Sequence, residues 1–281
     1  MNKLLPAILG MISVQLFAAD PLPFGTDFFQ NKYWQDGKAE VSVFQATEKR
    51  EGLVRQAEVK HIAVREPFSA RRMVKTEDWQ EPGVYEVIKL NQILHIPTGT
   101  YDFYQMHSSF WRIENGRLIK FSLAGIDSCG NSYKEGRIEG DRLSYIANTY
   151  WEGMDRLKLT KKLPEEVLFY DELPLKLRSL DWTKATAFSA SVIPSVIGSK
   201  ADPLVAAKAQ FQVHEAREGK AFRVTMRTGS GEDVFLFDKE FPHLLREWHR
   251  ADGSALRLKS SVRIPYWKLN KPGDEKFLNP Q

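Results

Sequence analysis

Apolar and polar residues alternate with a period of two along much of this chain, the spacing of strands that bury one face. Ala39, Val41 and Val43 alternate with polar neighbours, Arg50-Glu51-Gly52 makes a turn, and residues 57–64 run on to Pro67. That pattern predicts a hairpin. Residues 67–83 are polar and close on the breaker Pro82-Gly83, so a surface loop is expected. Residues 84–96 and 98–113 have strand composition. Asn115-Gly116 is the strongest short hairpin signal in the chain, and residues 117–126 return with Ile119, Phe121 and Leu123 on one face. Residues 129–138 and 143–150, separated by Glu139-Gly140-Asp141, complete an antiparallel meander.

The second half alternates again. Ala209, Phe211 and Val213 oppose Gln210, Gln212 and His214, and Phe222, Val224 and Met226 oppose Arg223, Thr225 and Arg227. Residues 234–237 are a short apolar run, and Asp252-Gly253 joins 244–250 to 255–266. In that last segment Leu256, Leu258, Val262, Ile264 and Tyr266 share one parity, and Arg257, Lys259, Ser261 and Arg263 share the other. One apolar and one basic sheet face follow from strict alternation.

One stretch breaks the period. In residues 164–180, Pro164 and Glu165-Glu166 suit a first helical turn, Leu168, Leu175 and Tyr170 can face a sheet, and Pro174 demands a kink or a break. The expected fold is therefore mainly β: curved, half-barrel-like antiparallel sheet with one helical segment near 164–180. That segment divides an N-terminal β half, 20–163, from a C-terminal β half, 181–270. Residues 20–36, rich in Pro, Phe, Tyr and Trp, form a docking arm, and 271–281 form a disordered tail.

Composition changes this picture in three places. The 281 residues carry 40 basic and 36 acidic side chains, well mixed, for a net charge of +4, too even for a nucleic-acid binder. Met1-Asn2-Lys3, an apolar run from Leu4 to Phe17, and Ala18-Ala19-Asp20 together read as a signal peptide over residues 1–19. No cysteine follows that run, so a lipoprotein anchor is excluded, and no later segment has the ~18 apolar residues of a membrane helix. A soluble protein exported to the periplasm or beyond is expected. With a single cysteine, it forms no intrachain disulfide.

Cys129 is the sharpest catalytic candidate. A nucleophilic thiol needs a base to become thiolate, and His107, about one hairpin away, and Asp127 are the groups within sequence reach. The alternative is a small hydrophobe beside a turn. The six histidines show no metal-ligand spacing, so neither metal nor cofactor is expected. Glu165-Glu166 and Asp171-Glu172 read as the solvated face of the helical segment. Gly229-Ser230-Gly231 is a hairpin turn, without the lysine and following helix of a phosphate loop. The basic set Arg223, Arg227, Arg257, Lys259 and Arg263 is the binding candidate, for anionic lipid, lipopolysaccharide or glycan; its alternative is a solvated sheet face.

Tyr33-Trp34-Gln35-Asp36-Gly37-Lys38-Ala39-Glu40, Lys89-Leu90-Asn91, Thr98-Gly99-Thr100-Tyr101 and Cys129-Gly130-Asn131 resemble an exported bacterial family of unknown function, over most of the mature N-terminal half. Members of that family often carry the label "septum formation inhibitor Maf". The Maf pyrophosphatases are cytosolic and have a Ser-x-Ser-Pro-Arg-Arg motif; Ser69-Ala70-Arg71-Arg72 is its one echo here and lacks the proline. Family members often place Trp before the cysteine, where this chain has Ser128. From Leu173 on, Phe237-Asp238 and Trp248 with Asp252-Gly253 resemble periplasmic proteins with a curved sheet, similar to lipoprotein-carrier half-barrels. The resemblance implies a curved-sheet fold and, by analogy only, an envelope setting. The leading expectation is non-enzymatic binding of an apolar or amphipathic envelope component, or of an envelope protein, on a curved sheet. The alternatives are a Cys129-dependent hydrolase or transferase and a structural envelope protein.

Overall fold

The computed structural model describes residues 22–153 and 155–278; the signal-peptide reading, on residues 1–19, lies outside them. Sixteen strands form a single sheet. They are β1 (Ala39–Arg50), β2 (Leu53–Ser69), β3 (Val74–Lys75), β4 (Val84–Pro97), β5 (Asp102–Arg112), β6 (Arg117–Asp127), β7 (Gly130–Glu139), β8 (Arg142–Thr149), β9 (Arg156–Lys162), β10 (Val167–Phe169), β11 (Ala187–Ile193), β12 (Ala207–Ala216), β13 (Ala221–Thr228), β14 (Gly231–Asp238), β15 (Leu245–His249) and β16 (Ala255–Ile264). The order is β10-β11-β12-β13-β14-β15-β16-β1-β2-β4-β5-β6-β7-β8-β9, with β3 beside β2. All neighbours are antiparallel except β10 and β11. Because β16 pairs with β1, the two β halves share one sheet.

The sheet is curled but not closed: its end strands β9 and β10 do not pair. Residues near both ends nevertheless meet inside. Phe44, Val59 and Leu94 pack in one cluster with Phe211, Phe235 and Leu168. Phe121, Tyr145 and Leu163 pack in a second with Phe169 and Ile193. The helical segment runs through this interior. It is shorter than expected, a 3-10 turn at Tyr170–Glu172, an α turn at Leu173–Lys176 (α2) and a 3-10 turn at Leu177–Ser179. Pro164 precedes no helix, because residues 167–169 become β10 instead. Pro174 sits in the first turn of α2, where its missing N–H costs nothing, so it neither kinks nor breaks the helix. Leu173, Leu175 and Leu177 are all buried, as for a helix surrounded by core.

Three β-bulges upset the strict alternation. Ile119 is the extra residue between the pairs Phe110–Lys120 and Trp111–Leu118, so it leaves the inner face that holds Phe121 and Leu123 and packs outward near Phe68. Arg246 is skipped between Leu245 and Glu247. Lys259 is skipped between Leu258 and Ser260. Beyond that last bulge β16 changes parity. Leu256 and Leu258 face inward with Phe44 and Ala46, whereas Val262 and Ile264 join an outer cluster with Val41 and Ile62. A bulge inserts one residue and swaps the faces of everything after it.

The outer face is covered in two places. Phe68 and Met73, from the polar-looking 67–83 region, shield Val87, so that region is partly built into the sheet. Leu278 of the Asp274–Leu278 3-10 turn packs on the outer cluster and accepts the Ser260 hydroxyl at 2.5 Å, so this part of the expected disordered tail is ordered. The docking arm is also core. A short helix, α1 (Asp27–Gln30), and the turn Lys32–Gln35 bury Phe28, Phe29 and Trp34 at one end of the curl.

Candidate functional site

Strand register places one row of polar side chains across the inner face. Ser42 pairs with His61, His61 with Gln92, Gln92 with His107, His107 with Leu123 and Leu123 with Lys134. All five polar members are buried. The neighbouring rows are apolar across the middle strands, at Phe44, Val59 and Leu94 on one side and at Ala63 and Leu90 on the other. The belt thus separates the two core clusters, and the helical segment meets it at Asp171. Gln92 donates to the Asp171 carbonyl at 2.7 Å. The Asp171 carboxylate accepts the Ser195 hydroxyl at 2.5 Å and the Val196 N–H at 2.7 Å. Far from forming a solvated helix face, Asp171 and Glu172 are buried. Glu172 accepts from the Trp111 indole at 2.8 Å and the Phe169 N–H at 2.9 Å, and burial raises its pKa.

Residues 194–206, between β11 and β12, lie over the belt. Lys134 donates to the carbonyls of Val196, Gly198 and Lys200 at 2.7, 2.8 and 2.6 Å. Ser132 reaches the Ser199 carbonyl at 2.8 Å, and the Ser199 hydroxyl bonds Asp127. Burial lowers the Lys134 pKa to about 8.

Between belt, helical segment and 194–206 is a cavity of about 150 Å³, lined by Glu48, Arg50, Val59, His61, Gln92, Leu94, Tyr170, Asp171, Ser195, Ile197, Trp248 and Arg250, with Lys49 and Asp252 at its edge. Arg250 Nη1 bonds both Glu48 oxygens at 2.9 Å, and its guanidinium lies 4.5 Å from the Trp248 ring centre. Tyr170 donates to Asp233 at 2.5 Å, as Trp248 does at 2.9 Å; burial, then the Asp233 charge, raise the phenol well above its ordinary range. Arg50 Nη2 donates to Gln105 at 3.0 Å. Arg50 Nε, Arg250 Nε and His61 Nε2 are buried without a hydrogen-bond partner. Burial, reinforced by the Arg250 and Arg178 charges, holds His61 down at about 3, so its ring is neutral near pH 7. Burial lowers His107 as well, against the Asp171 charge.

Ser195, Asp171 and His107 invite comparison with a catalytic triad, but the roles are misassigned. The serine hydroxyl points to the aspartate, and His107 stands 3.8 Å from the same carboxylate with no contact to the serine. Cys129 is exposed in the β6–β7 turn. His107 lies opposite Leu123, four residues up β6 from Asp127, or about 13 Å at the usual strand rise. Asp127 and His107 both face inward, and the exposed thiol is not brought to His107.

The basic set is divided. Arg223, Arg227 and Arg257 are exposed, with acids among them: Arg227 bonds Glu232 at 2.7 Å, and Arg257 is paired in register with Glu247. Lys259 is the bulge residue. Arg263, past the bulge, pairs with Glu40 in the sheet, donates to the Tyr33 carbonyl at 2.7 Å and bonds Asp36. The expected single basic face is therefore three separated arginines of mixed surroundings.

Sequence reading missed the belt and the cavity arginines. A signal for the belt exists: Gln92 interrupts the row Ile88, Leu90, Leu94, Ile96, and His61 interrupts Val59 and Ala63. A polar residue at an apolar parity marks a buried polar contact. Arg50, Arg250 and Asp171 carry no such mark. No family model matches the chain, and no curated protein or solved structure matches it.

Proposed function

We propose that this protein is a non-enzymatic binding protein that holds a small amphipathic ligand inside its curled sheet, in the setting of the cell envelope. The observation that carries this reading is a cavity lined by three residues, Arg50, Arg250 and His61, that each hold an unpartnered buried nitrogen. Buried polar groups are almost always satisfied, and leaving one unmet costs about 1–3 kcal/mol. Three around one space fit groups kept for an occupant. The facing wall of Val59, Leu94, Ile197 and the Trp248 ring suits an apolar body. Surface grooves of 440, 480 and 520 Å³ are larger but open, and none collects several unpartnered buried groups on its wall. The signal-peptide reading of residues 1–19 and the resemblance of the sequence from Leu173 on to lipoprotein-carrier half-barrels are what support the envelope setting.

Native mass spectrometry of the full chain, purified without denaturation, tests this. The expected result is a non-covalent small-molecule adduct that is lost in Ile197→Phe, where the larger side chain fills the cavity. An adduct that survives Ile197→Phe places the ligand elsewhere, and a bare chain with no thermal shift across a panel of small amphipaths overturns the reading.

A further inference from the structure

Resting on that reading, the unpartnered donors and the unpaired Arg50 define the chemical class of the occupant. The buried carboxylates around the cavity are already engaged, Glu48 by Arg250 and Asp171 by Ser195 and Val196, while Asp252 is exposed. What remains free is donor capacity, at Arg50 Nε, Arg250 Nε and, beside Arg50, Gln105 Nε2. His61 Nε2 can join them, since a neutral imidazole has one donor nitrogen. An occupant must therefore bring acceptors.

The charges sharpen this. Glu48 compensates Arg250. Among the described residues Arg50 has no carboxylate within ion-pair distance; its one side-chain partner is the neutral amide of Gln105. Arg50 is therefore a wall cation without a paired acid, while the Asp171 carboxylate on the same wall is held by Ser195 and Val196 rather than by a cation. The described residues contain no group of three acids, histidines or cysteines to hold a metal. An anionic head on the occupant would give Arg50 the acid it lacks. We infer that the occupant carries a single carboxylate, received by the Arg50 guanidinium with the Arg250 and His61 nitrogens beside it, and a short apolar body against Val59, Leu94 and Trp248. The planar guanidinium fork matches the two coplanar carboxylate oxygens. A volume of about 150 Å³ suits a small aromatic acid or a short-chain fatty acid, not a two-chain lipid.

Isothermal titration of the full chain with benzoate, its neutral isostere benzamide, hexanoate and inorganic phosphate tests the inference, with Arg50→Gln and Arg50→Lys as variants and a melting curve for each. The expected result is binding of benzoate or hexanoate, at least about tenfold weaker binding of benzamide, and at least about tenfold loss of carboxylate affinity in Arg50→Gln. Arg50→Lys keeps the charge without the fork and should fall between. Equal affinity for benzoate and benzamide, an unchanged affinity in a folded Arg50→Gln, or tightest binding of phosphate overturns the carboxylate assignment. If no probe binds, native mass spectrometry separates the two ideas. A neutral adduct in the chain overturns this inference and leaves the binding reading standing; a bare chain overturns both.

Discussion

Two arginine–carboxylate pairs, one fully buried and one half-buried at its arginine, sit toward opposite ends of β1. At the closed end, Arg178 grips both Glu40 oxygens at 2.7 and 2.8 Å, and Tyr33 donates to Glu40 at 2.8 Å. Arg178 Nε reaches the Pro242 carbonyl at 2.9 Å, and the guanidinium lies 5.2 Å from the Phe28 ring centre. Although burial opposes the charged form, Arg178 keeps the Glu40 carboxyl below its usual range. At the open end, Arg250 holds Glu48 but leaves its Nε unmet, beside a second arginine with no acid at all. The chemistry is the same and the degree of satisfaction is not. A saturated pair fixes structure; an unsaturated one is capacity held for something else.

Breaking the closed end should have the largest effect. Arg178→Met strands the Glu40 carboxylate in the core and should cost about 3–5 kcal/mol in urea denaturation; a cost below about 1 kcal/mol would remove the contrast between the ends. Acid comes next. The His61 ring, ordinarily near 6.5, sits at about 3 when folded, so between those values the unfolded chain takes a proton that the native chain refuses. Stability should be flat in this respect above pH 6.5 and fall as pH drops below it, by roughly 1.4 kcal/mol per unit once well below. Burial of His107 adds to the slope. His61→Gln should flatten the fall measured between pH 6.5 and 4.5, above the range where carboxylates dominate.

Packing gives a middle-sized test. Gly136 lies on the inner face against the Phe121 ring, which occupies the place a Cβ would take. Gly136→Ala should cost about 1–3 kcal/mol by displacing that ring, seen as a lowered melting temperature. Arg50→Gln should change stability by less than about 1 kcal/mol, since no ion pair is lost, and a large destabilisation would make Arg50 a structural residue like Arg178. The smallest effect belongs to Cys129→Ser, within about 0.5 kcal/mol, and the native thiol should react promptly with a thiol reagent because it is exposed.

Much of the sheet was legible because alternation and turn residues are local. The segments read as strands at 84–96, 117–126 and 143–150 correspond to β4, β6 and β8 within a few residues at their ends, and the alternation from Ala209 to His214 lies in β12. β9 and β11 went unread; β9, with its Arg156, Lys158, Lys161 and Lys162, lies at the sheet edge with one face exposed. The helical segment was visible as a break in period but misjudged in length, because β10 takes its first residues through pairing with β11, distant in sequence. The candidate site was less legible. Cys129 stood out by rarity, which is no measure of surroundings, whereas Arg50 and Arg250 are brought together only by β16 closing onto β1.

By itself the sequence determined the class of fold, the antiparallel order of neighbouring hairpins and the polar interruptions at His61 and Gln92, since each depends on residues near in the chain. The tertiary structure alone decided which face each residue takes after the bulges at Ile119 and Lys259, where the helical segment runs, and which buried donors lack a partner. Those depend on long-range register and on the shape of the space left inside a curled sheet, and a single inserted residue is enough to turn Arg263 from the outside to the inside.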